Sequence, residues 1–367
     1  MFATSTQRWF YRHVAKQIFF RMDPERVHDT MTRFGNALGR TSFTRGAVRF
    51  LFCFEHPALV QTILGISFSN PIGLTAGFDK NAQLTRIIPA VGFGFAEVGS
   101  VTGEPCVGNP KPRLWRLPKS KGLVVWYGLK NDGCESIAKR LSDKKFDMPL
   151  GISVGQTNVP STVDMDTGIA DYAKAFRAFA RIGDYTTINI SCPNIYGGEP
   201  FVDPERLDRL LDVLDTIATS KPTFLKLPVD ISKDELDAIV GVSDMHRVHG
   251  LIVSNLTKKR DRHTIVAQEI RDDMKGGISG RPTFDLSNGL ISHLYRTVGA
   301  RYVIIGSGGV FSAQDAYEKI RRGASLVQLA TGMIFEGPQL IGEINRGLVR
   351  LLEQDGYQNI REAIGSL

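Results

Sequence analysis

The sequence predicts an α/β fold, a (β/α)8 TIM barrel preceded by an N-terminal helical hairpin. Three observations carry this. Eight apolar stretches, at 72–77, 94–101, 149–155, 185–191, 223–228, 249–255, 302–306 and 325–330, are each followed by a helical stretch. The runs are apolar throughout rather than alternating, as parallel strands covered on both faces must be. The 367 residues suit one large barrel plus an appendage. The rival, an open doubly wound sheet, does not favour the number eight.

Residues 6–21 place Phe10, Val14 and Ile18 on one helical face, broadened by Trp9, Phe19 and Phe20. Asp23 then reads as an N-cap with Pro24 at the first helical position. Val27, Met31, Phe34 and Leu38 follow at helical spacing, and Gly39 closes the helix. The expected division is residues 1–45 as this hairpin and 46–367 as the barrel. The helices that follow the strands are expected at 81–91, 132–146, 168–182, 203–219, 232–246, 285–298, 312–322 and 338–353. Residues 102–131 are too long for a simple turn. Such an insertion after a barrel strand lies over the C-terminal mouth, so it is expected to cap the pocket as a lid.

Net charge is +7, and residues 1–49 hold nine of the Lys and Arg against three acids. A basic, aromatic-rich end fits an anionic surface, lipid or nucleic acid, and also a plain solvated helix face. Beyond that terminus nothing points to nucleic acid. Cys53, Cys106, Cys134 and Cys192 are scattered, with no CxxC pair, so neither a zinc site nor a disulfide framework is indicated. A reduced cytosolic compartment is the default. No apolar run approaches the ~18 residues that span a bilayer, so any membrane contact is peripheral.

In a barrel the chemistry sits at the C-terminal strand ends. Those ends carry Lys80, Ser100, Thr102, Asn189, Cys192, Asn194, Lys226 and Asn255. Three glycine-bearing stretches, KGGISGRP (275–282), GSGG (306–309) and ATG (330–332), bring backbone N–H groups close to an anion. Barrels commonly hold a phosphate there, so a phosphorylated ligand is expected. A GxGxxG fingerprint is absent. Lys226 lies inside the apolar strand FLKLP, where an unpaired ammonium is costly. It could serve as a Schiff-base amine, an anion partner or the positive charge beside a flavin ring.

In this order AGFDKN, GFGFAEVGSVT, KPRLWRL, NISCPN, KGGISGRP and IIGSGGV resemble the dihydroorotate dehydrogenase family, from about Asn70 to the C-terminus. The hairpin with MDPERVH resembles the extension of its membrane-associated, quinone-using class. The resemblance implies FMN at the barrel mouth. It implies cofactor contacts from Ala76, Gly77, Ser100, Asn158, Lys226, Ser254, Gly280, Gly308, Gly309, Thr331 and Gly332. Substrate would meet Lys80, Asn189, Asn194 and Asn255. His28 and Arg116 would line a tunnel for a membrane quinone. Cys192 would be the base that takes the substrate proton. With a reference pKa near 8.5, it needs only a modest environmental push to yield thiolate near neutral pH. The implied reaction is oxidation of (S)-dihydroorotate to orotate in pyrimidine biosynthesis, on the cytoplasmic side of the inner or plasma membrane.

Some positions depart from the pattern. The quinone-using class carries serine where Cys192 stands, and cysteine belongs to the soluble classes. Val125 falls where the family has a substrate-binding asparagine, and Leu256 where it has a hydroxyl residue. A related FMN oxidoreductase for a less polar cyclic substrate, or a non-catalytic flavin-binding membrane protein, are the alternatives.

Overall fold

The computed structural model describes residues 2–367, with side chains from Thr6 onward. Eight parallel strands close into a barrel. They are β1 (Ile72–Leu74), β2 (Phe95–Val101), β3 (Leu150–Val154), β4 (Tyr185–Asn189), β5 (Thr223–Leu227), β6 (Gly250–Val253), β7 (Val303–Ser307) and β8 (Leu326–Leu329). Closure is direct: Val327 of β8 pairs with Ile72 of β1. All eight match the sequence reading to within a few residues.

Small and large residues share the lower barrel interior. A Cβ on Gly73 would lie 2.3 Å from the Phe95 ring, and one on Gly151 would lie 2.1 Å from the Tyr185 ring. The missing side chains make room for Phe95, Tyr185 and Phe224, which with Phe68 plug the N-terminal end. The interior turns polar toward the mouth, where Glu97, Thr187, Lys226 and Gln328 are buried. The main apolar core lies between the strands and the outer helices.

Two helical expectations need correction. Only Ile88–Val91 of the expected helix 81–91 is helical. The Asp79 carboxylate instead accepts from the backbone of Gln83 and Leu84, both at 2.8 Å, and holds the preceding stretch as a turn. The N-terminal part also holds more than a hairpin. Residues 2–19 form one helix with a π turn at Tyr11–Ala15 (α1). Pro24–Leu38 (α2) follows with Asp23 accepting from Arg26 N at 2.8 Å, as the cap pattern requires. A third helix, Ser42–Phe52 (α3), runs through the expected boundary at 45/46.

The insertion 102–131 folds as an antiparallel pair, Leu114–Leu117 with Gly122–Val125. Gly277–Gly280, from the connection between β6 and β7, adds a third strand. Helix α1 seats against the far side of the mouth. Tyr11 Oη donates to Ile334 O at 2.6 Å, Phe20 meets Phe335 edge-on at 5.3 Å, and Arg12 pairs with Glu336.

Candidate active site at the barrel mouth

One cavity opens at the C-terminal end of the barrel and encloses about 1330 Å³, its solvent-open part included. Every site residue expected from the sequence lines it except Thr102, Asn158 and Arg116. Thr102 is buried behind the mouth, its hydroxyl donating to Glu104 O at 2.6 Å and accepting from Asn131 Nδ2 at 2.8 Å. Asn158 instead ties three loops together: its Nδ2 donates to Asn109 Oδ1 at 3.0 Å, and its Oδ1 accepts from Tyr196 N at 2.9 Å. Arg116 donates to Met22 O at 2.8 Å and stacks on Phe20, joining the lid to the N-terminal helices.

Backbone shapes one side. Gly280, Gly308 and Gly309 have φ of 88°, 105° and 74°, the left-handed region that side chains avoid. A Cβ on Gly332 would lie 2.0 Å from Val310 O. The Ser279 and Thr331 hydroxyls bond each other at 2.9 Å across this cradle. At its edge the helix Phe284–Val298 begins.

The floor is polar. Lys226 Nζ donates to Thr75 Oγ1 at 3.1 Å. Burial lowers the pKa of this lysine, and Glu97 opposes the shift. Asn189 is held at both ends: its Nδ2 donates to Ser100 Oγ at 2.7 Å, and its Oδ1 accepts from Ser191 N and Oγ at 3.2 and 2.8 Å, which leaves its second N–H for a ligand. Asn255 Nδ2 donates to Ser191 O at 2.5 Å, and Asn194 Nδ2 donates to Val125 O at 3.0 Å. The amide oxygens of Asn194 and Asn255 therefore remain for a ligand that brings N–H groups. Three further polar atoms are buried with no protein partner among the described residues: Ser254 Oγ, Gln328 Oε1 and Tyr127 Oη. Such atoms in a cavity call for a hydrogen-bonding ligand.

Cys192 stands at the end of this floor, 8% exposed. Burial pushes its thiol up to about 12, the opposite of the shift expected from sequence. The site keeps the sulfur protonated at rest. Lys80 Nζ lies 3.3 Å from His28 Nε2 and 4.2 Å from the centre of the Tyr127 ring. Burial lowers Lys80 to about 8, and burial with the Lys80 charge lowers His28 to about 3. His28 is thus neutral, and its Nε2 accepts from the ammonium.

Sequence reasoning missed several lining residues. Gln328 could have been found, as a polar residue inside the apolar run SLVQLA. Thr75, Tyr127, Lys130 and Thr283 carry no comparable signal. Leu114, Leu123 and Val125 of the lid, with Leu256, form an apolar roof.

Fold and site together define a (β/α)8-barrel enzyme whose mouth joins a glycine-built cradle to a polar, hydrogen-bonding floor. A sequence profile described as dihydroorotate dehydrogenase matches residues 58–352. The dihydroorotate dehydrogenase (quinone) of Gloeobacter violaceus is 36% identical over 96% of this chain and 98% of its own. That of Corynebacterium diphtheriae is 36% identical over 95% and 94%. The crystal structure of DHODH from Eimeria tenella in complex with ferulenol superimposes with a TM-score of 0.83 at 29% identity, covering 94% of this chain and 95% of that one. The chain belongs to the dihydroorotate dehydrogenase family.

Proposed function

We propose that this protein oxidises (S)-dihydroorotate to orotate with FMN as cofactor and a membrane quinone as acceptor. Relatives named for the quinone reaction, similar over nearly the whole chain, support this. The observation that carries it is the placing of a buried thiol, Cys192, in one cavity with Asn194, Asn255, Lys80 and Lys226.

The residues fit FMN. The glycine cradle leaves backbone N–H groups open to a phosphate, and Ser254, Gln328 and Thr75 offer polar atoms to a flavin ring beside the buried ammonium of Lys226. Bound there, FMN supplies the hydride acceptor for the reaction. The chain does the rest. Asn194 and Asn255 accept from the ring N–H groups, and Lys80 faces the substrate's negative charge. Cys192, once its thiol has given up its own proton to solvent, takes the proton from the carbon next to the one that loses hydride. The lid roof excludes water, which strengthens each of these contacts.

The three N-terminal helices form the membrane-facing part in this reading. Trp9, Phe10, Phe34, Phe43 and Phe50 are exposed among basic residues, Phe50 to 89%. Among the described residues no helix is long and apolar enough to cross a membrane. An amphipathic, basic surface binds the lipid interface peripherally; His28 of α2 lines the cavity, and Arg116 of the lid holds the chain at Met22 between α1 and α2.

The test is anaerobic. Dihydroorotate should bleach the bound flavin, and a quinone should restore the colour. A flavin that dihydroorotate leaves oxidised sinks the proposal. The apolar roof favours a second reading, a related oxidoreductase for a less polar ring. Faster bleaching by an uncharged dihydropyrimidine would select it.

A further inference from the structure

Two ammonium groups reach the lid end of the cavity, Lys80 from the loop after β1 and Lys130 from the insertion. At contact distance Lys80 meets only uncharged groups, the His28 imidazole and the Tyr127 ring, while Asp29 and Glu25 of α2 and the adjacent Asp79 act on it without a direct ion pair. Lys130 has only a share in an acid. Its Nζ lies 3.4 Å from Glu25 Oε1 of α2, and Lys111 lies at the same distance from that atom. Arg113 holds Glu25 far more firmly, on both oxygens at 3.1 and 2.8 Å. The Arg113 and Glu25 side chains are 5% and 4% exposed.

One carboxylate thus faces three cations. The buried, bidentate guanidinium alone neutralises it, because planar fork geometry and charge-assisted bonds give that pair the advantage. Lys130 is surplus to Glu25. Its side chain is 39% exposed, and its flexible stem can swing. Two positive groups in a half-enclosed, partly apolar space repel each other more than they would in water. An anion placed between them relieves that repulsion and meets both.

We propose that Lys130 is a specificity-determining residue that, together with Lys80, receives the carboxylate of the substrate at the lid end of the cavity. The proposal rests on the dihydroorotate reading above and names the part of the substrate that this end selects. Lys130 leaves its shared carboxylate when the substrate arrives and returns when the product departs.

The test compares FMN-loaded wild type with Lys130→Gln and Lys111→Gln. Lys111 shares Glu25 equally but lies outside the cavity lining, its side chain 65% exposed. Lys130→Gln should raise KM for dihydroorotate about fivefold to twentyfold, a charge-assisted contact discounted for exposure. Its kcat should stay within about twofold, the sign of binding that is uniform along the reaction. The preference for dihydroorotate over dihydrouracil, which lacks the carboxylate, should shrink by the same factor. Lys111→Gln should leave all three unchanged. An unaltered KM in Lys130→Gln, an equal shift in Lys111→Gln, or a change confined to the quinone KM would each overturn the proposal. Orotate binding, followed by the shift in flavin absorbance, should weaken in Lys130→Gln and not in Lys111→Gln. This readout keeps the two readings apart. A wild type that binds orotate through Lys130 but does not oxidise dihydroorotate would defeat the proposed function and spare this inference.

Discussion

The two sides of the mouth are held by different means. On the glycine side the shape comes from backbone: Gly280, Gly308 and Gly309 in left-handed conformations, and Gly332 against the Val310 carbonyl. On the lid side it comes from side chains, with Glu25 gripping Arg113 and Asn194 holding Val125 O. Backbone shape survives most substitutions of its neighbours. A side-chain clasp depends on each of its members, so the lid side is the more easily broken of the two.

Substitutions can break this contrast. Cys192→Ala should slow flavin reduction by dihydroorotate about 10²–10⁴-fold, the usual worth of a positioned base. FMN content should be unchanged, and stopped-flow absorbance measures both. Because burial raises the thiol to about 12, the reactive thiolate grows with pH. At saturating dihydroorotate, wild-type flavin reduction should climb about tenfold per unit from pH 6 to 8, the range in which Lys80 keeps its charge, and a flat profile would remove Cys192 from the role of base.

Arg113→Met leaves Glu25 buried without its main partner and should cost about 3–5 kcal/mol. The loss should appear as faster amide exchange across 111–130, with FMN affinity hardly altered. The same clasp has a pH signature. Burial alone would raise the Glu25 carboxyl, but Arg113, with Lys111 and Lys130, reverses this and holds it at about 2 against an ordinary 4.5. Its stabilisation is therefore complete above pH 4.5 and disappears as pH falls toward 2. Acid should loosen the lid, an effect absent from Glu25→Gln.

Gly308→Ala tests the other side. It places a side chain at φ 105° and 2.6 Å from Thr283 Oγ1, a strain of roughly 1–3 kcal/mol. FMN should dissociate more readily, while a protein reloaded with excess FMN should keep its substrate KM. Smallest of all, Val125→Asn adds an amide to the apolar roof. It should lower the KM for dihydroorotate by about twofold to tenfold, the net worth of one hydrogen bond.

Much of this architecture is legible in the sequence, for physical reasons. Parallel strands buried on both faces cannot hide their apolar runs, so β1 to β8 stand out. The cap at Asp23 and Pro24 is equally plain, because orphan helix donors need an acceptor at that spot. The stretch 81–91 misleads because helical spacing says nothing of the Asp79 carboxylate that captures Gln83 and Leu84. Helix α3 hides because Thr44, Arg45 and Gly46 blur its periodicity. In the site, strand ends reveal Lys226, Asn189 and Cys192. Tyr127 and Lys130 lie in an irregular insertion whose path no local pattern fixes. Asn158 and Arg116 have the right residue types for their expected roles, but nearby loops and helices claim their hydrogen bonds.

The third strand of the lid, Gly277–Gly280, ends on a member of the glycine cradle and pairs along its length with Gly122–Val125. Cover and cradle are consequently a single mechanical piece. If FMN occupies the cradle as proposed, protein stripped of it should expose the hairpin tip around Lys119 and Lys121 to trypsin. The resulting nick would report the loaded fraction of a preparation with no assay of turnover.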